Sequence, residues 1–255
     1  MKPLKYEDQN FEVLVQKHLF IKDKNQKNYY RNCIDSIDSD MLKKFEDYPE
    51  KVSLVMFWIY IFFTVIMIIF NNAYVFYLQK NVVPKFDFFI ITFISCYFLF
   101  NIVLHELGHI KSLNYFGKSI DKVGFKLNFY VFPAFYVQMN ETYMLSKIDK
   151  IIVHSFGLFI NFTLINLIQM VNVFTFDYYP LKLAFMLFSS TLLWNLVPIL
   201  NSDGYKILLA TLSMDEFSKF TKNHWVILIF QIIGVGIALN TLVHWIFYLG
   251  NYFYE

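Results

Sequence analysis

The sequence is short of cysteine and arginine, and each shortage excludes a class of protein. Its 255 residues include two cysteines, Cys33 in a polar stretch and Cys96 inside an apolar run, so neither a disulfide framework nor a cysteine metal site is expected. Arg31 is the sole arginine and the net charge is only +2, which argues against nucleic-acid binding. The first apolar run begins near Ser53, so no secretory signal peptide is expected at the N-terminus.

Apolar residues, by contrast, are abundant. Hydrophobic residues make up 57% of the chain and aromatic residues 21%, and the mean hydropathy of +0.43 is typical of a polytopic membrane protein. Five apolar runs are each long enough to cross a bilayer as a helix: 53–79, 86–110, 149–173, 181–204 and 225–249. The expected fold class is therefore an all-α integral membrane protein with about five transmembrane helices in contact with the lipid bilayer.

Residues 1–52 are polar and mixed, and they predict a small N-terminal region outside the membrane domain of residues 53–255. Alternating stretches at 11–15 and 18–22 indicate a pair of β-strands. An amphipathic helix is expected near residues 36–45. No role for this region follows from the sequence.

Lysine positions predict the orientation of the spans. If the spans alternate, the lysines from Lys43 onward divide into twelve on the side of the N-terminus and three on the other. The twelve are Lys43, Lys44, Lys51, Lys111, Lys118, Lys122, Lys126, Lys147, Lys150, Lys206, Lys219 and Lys222, and the three are Lys80, Lys85 and Lys182. Because positive residues concentrate in cytoplasmic loops, the N-terminus is expected in the cytoplasm.

Residues 123–139 form a loop rich in β-branched and aromatic residues. The stretch is too short for a spanning helix, and Pro133 argues against a continuous one. It predicts a β-hairpin or a re-entrant segment at the membrane edge. Such a segment offers either a free strand edge that pairs with an extended peptide or an apolar plug that packs against the spans.

A His-Glu-x-x-His pattern ends the second apolar run, at His105, Glu106 and His109. Histidines four residues apart lie on one face of a helix, as zinc ligation by two nitrogens requires. Glu106 lies beside them and can take a proton from water. Charged groups inside a membrane are costly, so their presence there indicates a function.

Two histidines leave a zinc site one protein ligand short, and Asp203 is the best candidate for the third. The second and fourth runs cross the membrane in the same direction, so Asp203 and the histidine pair are expected at the same depth. Pro198 can break the fourth helix and turn the carboxylate inward. The alternative is that Asp203 and Gly204 form a polar turn at the interface.

These motifs resemble those of the site-2 protease family of intramembrane zinc metalloproteases. The first family motif is matched by His105, Glu106 and His109, and the second, Asn-x-x-Pro leading to Asp-Gly, by Asn195, Pro198, Asp203 and Gly204. Residues 155–161 resemble a Gly-Pro-x-x-Asn element, with Leu158 in place of the proline. The resemblance covers about residues 86–210, the expected catalytic core.

The resemblance implies Zn²⁺ held by His105, His109 and Asp203, with Glu106 as the catalytic base. It implies that Asn161 binds the substrate backbone or the developing oxyanion; an interhelical hydrogen bond is an equally good interpretation of Asn161. His154 is interpreted as an interfacial histidine, with a contact to a zinc ligand as the alternative. The small size of the chain resembles stand-alone bacterial members, some of which accompany small ribosomally made peptides.

The sequence thus predicts an intramembrane zinc endopeptidase in a bacterial cell membrane that cleaves a membrane-associated peptide or a single-span protein. The alternative is a non-catalytic membrane protein that binds zinc or a peptide, for immunity or transport. A transporter would carry more polar residues at the midplane or paired broken helices. Glu106 favours the enzyme, because a metal-binding protein needs no base there. The oligomeric state does not follow from the sequence.

Overall fold

The structure is a computed structural model that describes residues 3–26, 28–33, 37, 39–128, 132–199, 202–214, 216 and 223–237. The chain is mostly helical, with a small sheet in the N-terminal region and a β-hairpin between the third and fourth helices. In the N-terminal region, where a pair of strands was expected beside the helical membrane domain, the structure has a five-stranded sheet.

Five short strands form the N-terminal sheet. They are β1 (Leu4–Glu7), β2 (Phe11–Val15), β3 (Leu19–Asp23), β4 (Tyr29–Asn32) and β5 (Glu46–Asp47), in the order β4-β3-β2-β1-β5 with antiparallel pairing throughout. The predicted strand pair is confirmed as β2 and β3, with Val13 opposite Ile21. The helix expected near residues 36–45 is a single turn, α1 (Ser39–Leu42), and residue 36 lies outside the described residues.

Six further helices follow the sheet in the described part of the chain. They are α2 (Leu54–Asn81), α3 (Phe88–Tyr115), α4 (Lys147–Thr175), α5 (Tyr179–Leu196), α6 (Asp203–Leu212) and α7 (Trp225–Ile237). In four of them, the side chain of the residue just before the helix accepts a hydrogen bond from a backbone N–H of the first turn. These bonds pair N–H groups that the start of a helix leaves without a partner. These caps are Ser53, Asp87, Ser146 and Ser202.

Three of these helices, α2, α3 and α4, are long and apolar enough to cross a membrane. They match the first three predicted spans. Within the fourth predicted span, 181–204, the break expected at Pro198 is confirmed: α5 ends at Leu196 and Asp203 begins the separate helix α6. The residue before a proline disfavours the α-helical conformation, and Val197, which precedes Pro198, is extended. This explains why α5 ends here. Residues 238–249 of the fifth run lie outside the described residues, and the count of five stays a prediction.

Helix α4 lies at the centre of the bundle. Of the apolar stretch of α4 that could cross a membrane, 61% is buried inside the protein, against 17% of the corresponding stretch of α2 and 22% of that of α3. Polar contacts join the helices within the apolar core: the Asn71 amide of α2 donates to Asn166 Oδ1 of α4 at 3.1 Å and to Ser189 Oγ of α5 at 3.0 Å. The outward faces of α2 and α3 remain apolar and bare, as a lipid-facing surface requires.

Contacts between helix ends show how the helices alternate. Lys51 Nζ, just before α2, donates to the Tyr115 carbonyl at the end of α3, at 2.8 Å. At the opposite end of the bundle, the Tyr179 hydroxyl at the start of α5 accepts the Lys85 N–H at 2.6 Å. Gln16 of the N-terminal region donates to the Leu145 carbonyl just before α4, at 2.8 Å. The N-terminal sheet therefore lies at the end where α3 finishes and α4 begins.

The predicted hairpin is confirmed between α3 and α4. Strands β6 (Lys122–Asn128) and β7 (Phe132–Gln138) pair antiparallel, with Val123 opposite Val137. Residues 129–131 lie outside the described residues. Pro133 falls within β7, which a two-stranded sheet tolerates because every strand is an edge. A short 3₁₀ helix, Asn140–Met144, connects β7 to α4.

Glu141 of this 3₁₀ helix ties the N-terminal sheet to the helices. Its buried carboxylate accepts Lys22 Nζ of β3 at 2.6 Å, and the Ser119 N–H and hydroxyl, each at 3.1 Å. Burial raises the pKa of Glu141, but the hydrogen bonds from Lys22 and Ser119 outweigh it and hold that pKa below its ordinary value. Folding is therefore stabilised by the ionised carboxylate.

Glu141→Gln is expected to loosen the N-terminal sheet by about 1–2 kcal/mol, because it removes the charge that Lys22 pairs with. The pKa of Glu141 is lower in the folded protein than in the unfolded chain. Its contribution to the free energy of unfolding is therefore complete at pH values above the ordinary carboxyl pKa, and it is lost as the pH falls through the lower pKa of the folded state. The measurement is the rate of limited proteolysis within residues 1–52 as a function of pH. Glu46→Gln, an exposed carboxyl on β5, is the control. Equal rates in both variants would contradict the assignment.

Candidate metal centre

His105 and His109 lie one turn apart on the buried face of α3. Both side chains are nearly inaccessible, at 7% and 2% exposure. Their Nε2 atoms are 3.1 Å apart, so the two rings converge on one point rather than pointing along the helix. The apolar helix thus carries two imidazole nitrogens at a single position inside the bundle.

Asp203, the first residue of α6, completes the group. Its Oδ2 lies 2.6 Å from His105 Nε2 and 3.3 Å from His109 Nε2. Among the described residues, this is the group of three histidine or acidic side chains whose donor atoms are close enough to share a metal ion. Ligands of a tetrahedral zinc are about 3.3 Å apart, which the distances from His109 Nε2 to the other two donors match, while Asp203 Oδ2 and His105 Nε2 must separate for the ion to enter. Two nitrogens and one carboxylate oxygen are a donor set that suits zinc. Sequence reasoning expected this juxtaposition at one membrane depth.

The break between α5 and α6 positions the Asp203 carboxylate. Asn195, near the end of α5, donates from Nδ2 to Asp203 Oδ2 at 2.9 Å and accepts the Asp203 N–H at 3.1 Å. A Cβ on Gly204 would lie 1.9 Å from the Leu196 carbonyl oxygen, so only glycine allows this return of the chain. Lys206 Nζ lies 3.4 Å from the second oxygen, Oδ1. Sequence reasoning noted Asn195 as part of a motif but missed its contact with the carboxylate.

Each histidine has a partner for its second ring nitrogen. His109 Nδ1 is 2.8 Å from the Val153 carbonyl oxygen of α4, which fixes the proton on Nδ1 and leaves Nε2 free for a metal. The Asn161 amide lies 3.3 Å from His105 Nδ1, while Asn161 Oδ1 is buried with no partner in the described structure. Rotating this amide by half a turn lets Oδ1 accept a His105 Nδ1–H, which satisfies both groups when Nε2 binds a metal.

Asn161 therefore contacts a proposed ligand directly. This placement supports the interpretation of Asn161 as an interhelical hydrogen-bonding residue that orients His105. Contact of Asn161 with a substrate stays a prediction.

Two glycines allow α3 and α4 to approach at the centre. A Cβ on Gly108 of α3 would lie 3.1 Å from the Gly157 Cα of α4. A Cβ on Gly157 would lie 2.6 Å from His109 Nε2 and 2.9 Å from His105 Cε1. The imidazoles therefore pack directly against the α4 backbone, a contact that small residues make possible between membrane helices.

Glu106 follows His105 on α3 and differs from its neighbours. Its side chain is half-buried, and within the described parts of the chain it has no hydrogen-bond or ion-pair partner. The proposed base is thus adjacent in sequence to a proposed ligand. Its role as a base stays a prediction.

Gly157→Ala is expected to weaken zinc binding about 10–100-fold, because the added methyl group displaces both imidazoles. Gly236→Ala is the matched control, since a Cβ there meets nothing within 4 Å. The measurement is zinc content per chain after dialysis against a graded chelator. Zinc affinity equal to that of the unmodified chain would show that the imidazoles do not need this close packing.

Comparison with known proteins gives one informative match. No family model matches the chain, and no solved structure does so. The chain is 59% identical over 254 residues to the Bacillus subtilis (strain 168) protein YydH, covering 98% of this chain and 100% of that protein. At that identity and coverage, the chain belongs to the family of the B. subtilis protein, which is named "Putative peptide zinc metalloprotease protein YydH".

Proposed function

We propose that this chain is an intramembrane zinc endopeptidase of the site-2 protease type that cleaves a membrane-associated peptide near the cytoplasmic face. The observation that carries the proposal is the convergence of His105, His109 and Asp203 inside an apolar bundle, with Glu106 next to the first ligand. The name of the 59% identical relative supports the metalloprotease class.

The residues at the centre divide into ligands, orienting groups and a base. His105, His109 and Asp203 hold zinc, while Asn161, Asn195 and the Val153 carbonyl fix the directions of the three donors. Bound zinc supplies Lewis acidity, which polarises a scissile carbonyl and makes water more acidic. Glu106 accepts a proton from the attacking water and passes it to the leaving nitrogen.

The depth of the centre supports cleavage inside the membrane. His109 lies six residues before the end of α3 at Tyr115, which is about 9 Å along the helix axis. The centre is therefore inside the apolar span but close to the end that carries the N-terminal sheet. The lysine distribution favours a cytoplasmic location for that end, and we propose five spans, with the region after Trp225 as the last.

The substrate must present an extended segment. A helical substrate hides its amides in i to i−4 hydrogen bonds, so it has to unwind before hydrolysis. The edge of the β6–β7 hairpin can hold such a segment by strand addition. The small size of the chain and its full-length match to a peptide metalloprotease favour a small peptide as substrate, in a bacterial cell membrane.

Asp203→Ala and His105→Ala are each expected to remove zinc from the purified protein, because each leaves the site with two protein ligands. The unmodified chain should hold about one zinc, as structural and catalytic sites do. Inductively coupled plasma mass spectrometry on protein in detergent measures the ratio. Zinc that persists in Asp203→Ala would mean that another residue completes the site.

Glu106→Gln is expected to retain zinc but to lower cleavage by about 10²–10⁴-fold, because the amide cannot accept a proton. The measurement compares new peptide N-termini, by mass spectrometry, in bacterial membranes that contain the unmodified chain, Glu106→Gln or Glu46→Gln. New termini should appear with the unmodified chain and with the exposed control, and not with Glu106→Gln. If the unmodified chain binds zinc and yields no new termini, the non-catalytic alternative is favoured instead.

A further inference from the structure

A cavity of about 210 Å³ lies beside the metal centre and has no part in the proposed chemistry. Its walls come from the end of β7, the 3₁₀ helix, the first turns of α4, helix α6 and the segment after α6. It is large enough for an amino-acid side chain or a chain terminus. The lining residues that matter are Lys150, His154, Lys206 and Glu216.

Two of these residues connect the cavity to the metal centre. Lys206 Nζ lies 3.4 Å from Oδ1 of Asp203, the oxygen that faces away from the histidines. His154 follows Val153, whose carbonyl oxygen lies 2.8 Å from His109 Nδ1. A group held in the cavity is therefore within a side chain's length of the zinc ligands.

The charged residues of the cavity favour an anion. Lys150 and Lys206 contribute two positive charges, and Glu216 contributes one negative charge. Gln231 Nε2 donates to Glu216 Oε1 at 2.5 Å, which engages that carboxylate in a contact with α7. Lys150 Nζ lies over the ring of Tyr143, 5.4 Å from its centroid. The net charge of the residues that line the cavity is therefore positive, and bound zinc would increase the positive potential there.

His154 provides an unmet hydrogen-bonding group. Its side chain is only 9% exposed, and its Nδ1 has no hydrogen-bond partner within the described residues. Buried polar atoms in proteins nearly always have a partner, so a ring nitrogen without one, on a residue of the cavity wall, is available to hydrogen-bond a bound group. A carboxylate in the cavity can accept a hydrogen bond from the His154 ring and is attracted by the two lysines of the same wall.

We propose that this cavity binds a carboxylate of the peptide substrate, either an acidic side chain close to the scissile bond or the C-terminal carboxylate. Lys150 and Lys206 attract the carboxylate, and His154 donates a hydrogen bond to it. Val137 and Met139 belong to the same wall, so a peptide strand added along β7 runs directly to the cavity. The inference rests on the proposed function, because it assumes a peptide that reaches the zinc.

The test uses four labelled versions of one apolar peptide. They carry a central Glu or Gln, and a free or amidated C-terminus. Affinity for zinc-loaded Glu106→Gln is measured by fluorescence anisotropy, so the readout does not depend on turnover. Cleavage of the same peptides by the unmodified chain is measured in parallel.

The expected result is about tenfold tighter binding of one carboxylate form over its amide, since a hydrogen bond to a charged group has that strength. The Glu and Gln pair reports an acidic side chain, and the free and amidated pair reports a C-terminus. Lys150→Gln and His154→Phe, each added to Glu106→Gln, should reduce this preference. Glu216→Gln should increase it. Lys147→Gln, one turn before Lys150 on the exposed side of α4, is the control and should keep it.

The outcomes separate the two proposals. Equal binding of carboxylate and amide forms, or a preference that survives in both Lys150→Gln and His154→Phe, overturns the carboxylate site and leaves the protease intact. If zinc is bound and none of the peptides is bound or cleaved, the proposed function itself fails, and the carboxylate site fails with it.

Discussion

The Asp203 carboxylate is the group on which the rest of the centre depends. An ionised carboxylate in an apolar bundle is strongly unfavourable unless its charge and its lone pairs are matched. The surrounding contacts meet that requirement: Asn195 donates to Oδ2, Lys206 approaches Oδ1, and the two imidazoles converge on Oδ2. A divalent cation held by His105, His109 and Asp203 would supply the remaining positive charge. Metal binding and the stability of this part of the bundle are therefore coupled.

Backbone packing determines whether the ligands can meet. Gly108 and Gly157 bring α3 and α4 together, and Gly204 lets the chain return beneath Leu196 after the break that ends α5. If α5 continued without a break, Asp203 would lie on the same helix, eight residues beyond Asn195. Because the chain bends instead, the backbone N–H and the side chain of Asp203 both contact the Asn195 amide. A helix that ends inside the protein leaves carbonyls unpaired, and such irregular backbone is tolerated at membrane depth where it is buried or lines a cavity.

Local patterns indicated the three proposed ligands, whereas the residues that orient them depend on tertiary contacts. The spacing of His105 and His109 follows from helical periodicity, and the expected depth of Asp203 followed from counting spans. No periodicity indicates that Asn195 contacts Asp203, because that contact exists only after the chain bends at Pro198. His154 was interpreted as interfacial for the same reason: its position near a span end is visible in the sequence, but the cavity wall is formed by α6 and β7. In the N-terminal region, alternation indicated β2 and β3, while β4 and β5 are polar edge strands defined by their partners.

The contrast between Glu106 and its neighbours bears directly on catalysis. Asp203, His105 and His109 each make at least two polar contacts, which fix their donor atoms in direction. Glu106 makes none with the described residues and remains half-exposed. A ligand has to be held, because a displacement of its donor atom weakens the metal site. A base has to reach water first and the leaving nitrogen afterwards, so permanent hydrogen bonds to the protein would oppose its function. The contacts among the described residues therefore match the roles that we propose for the three ligands and for Glu106.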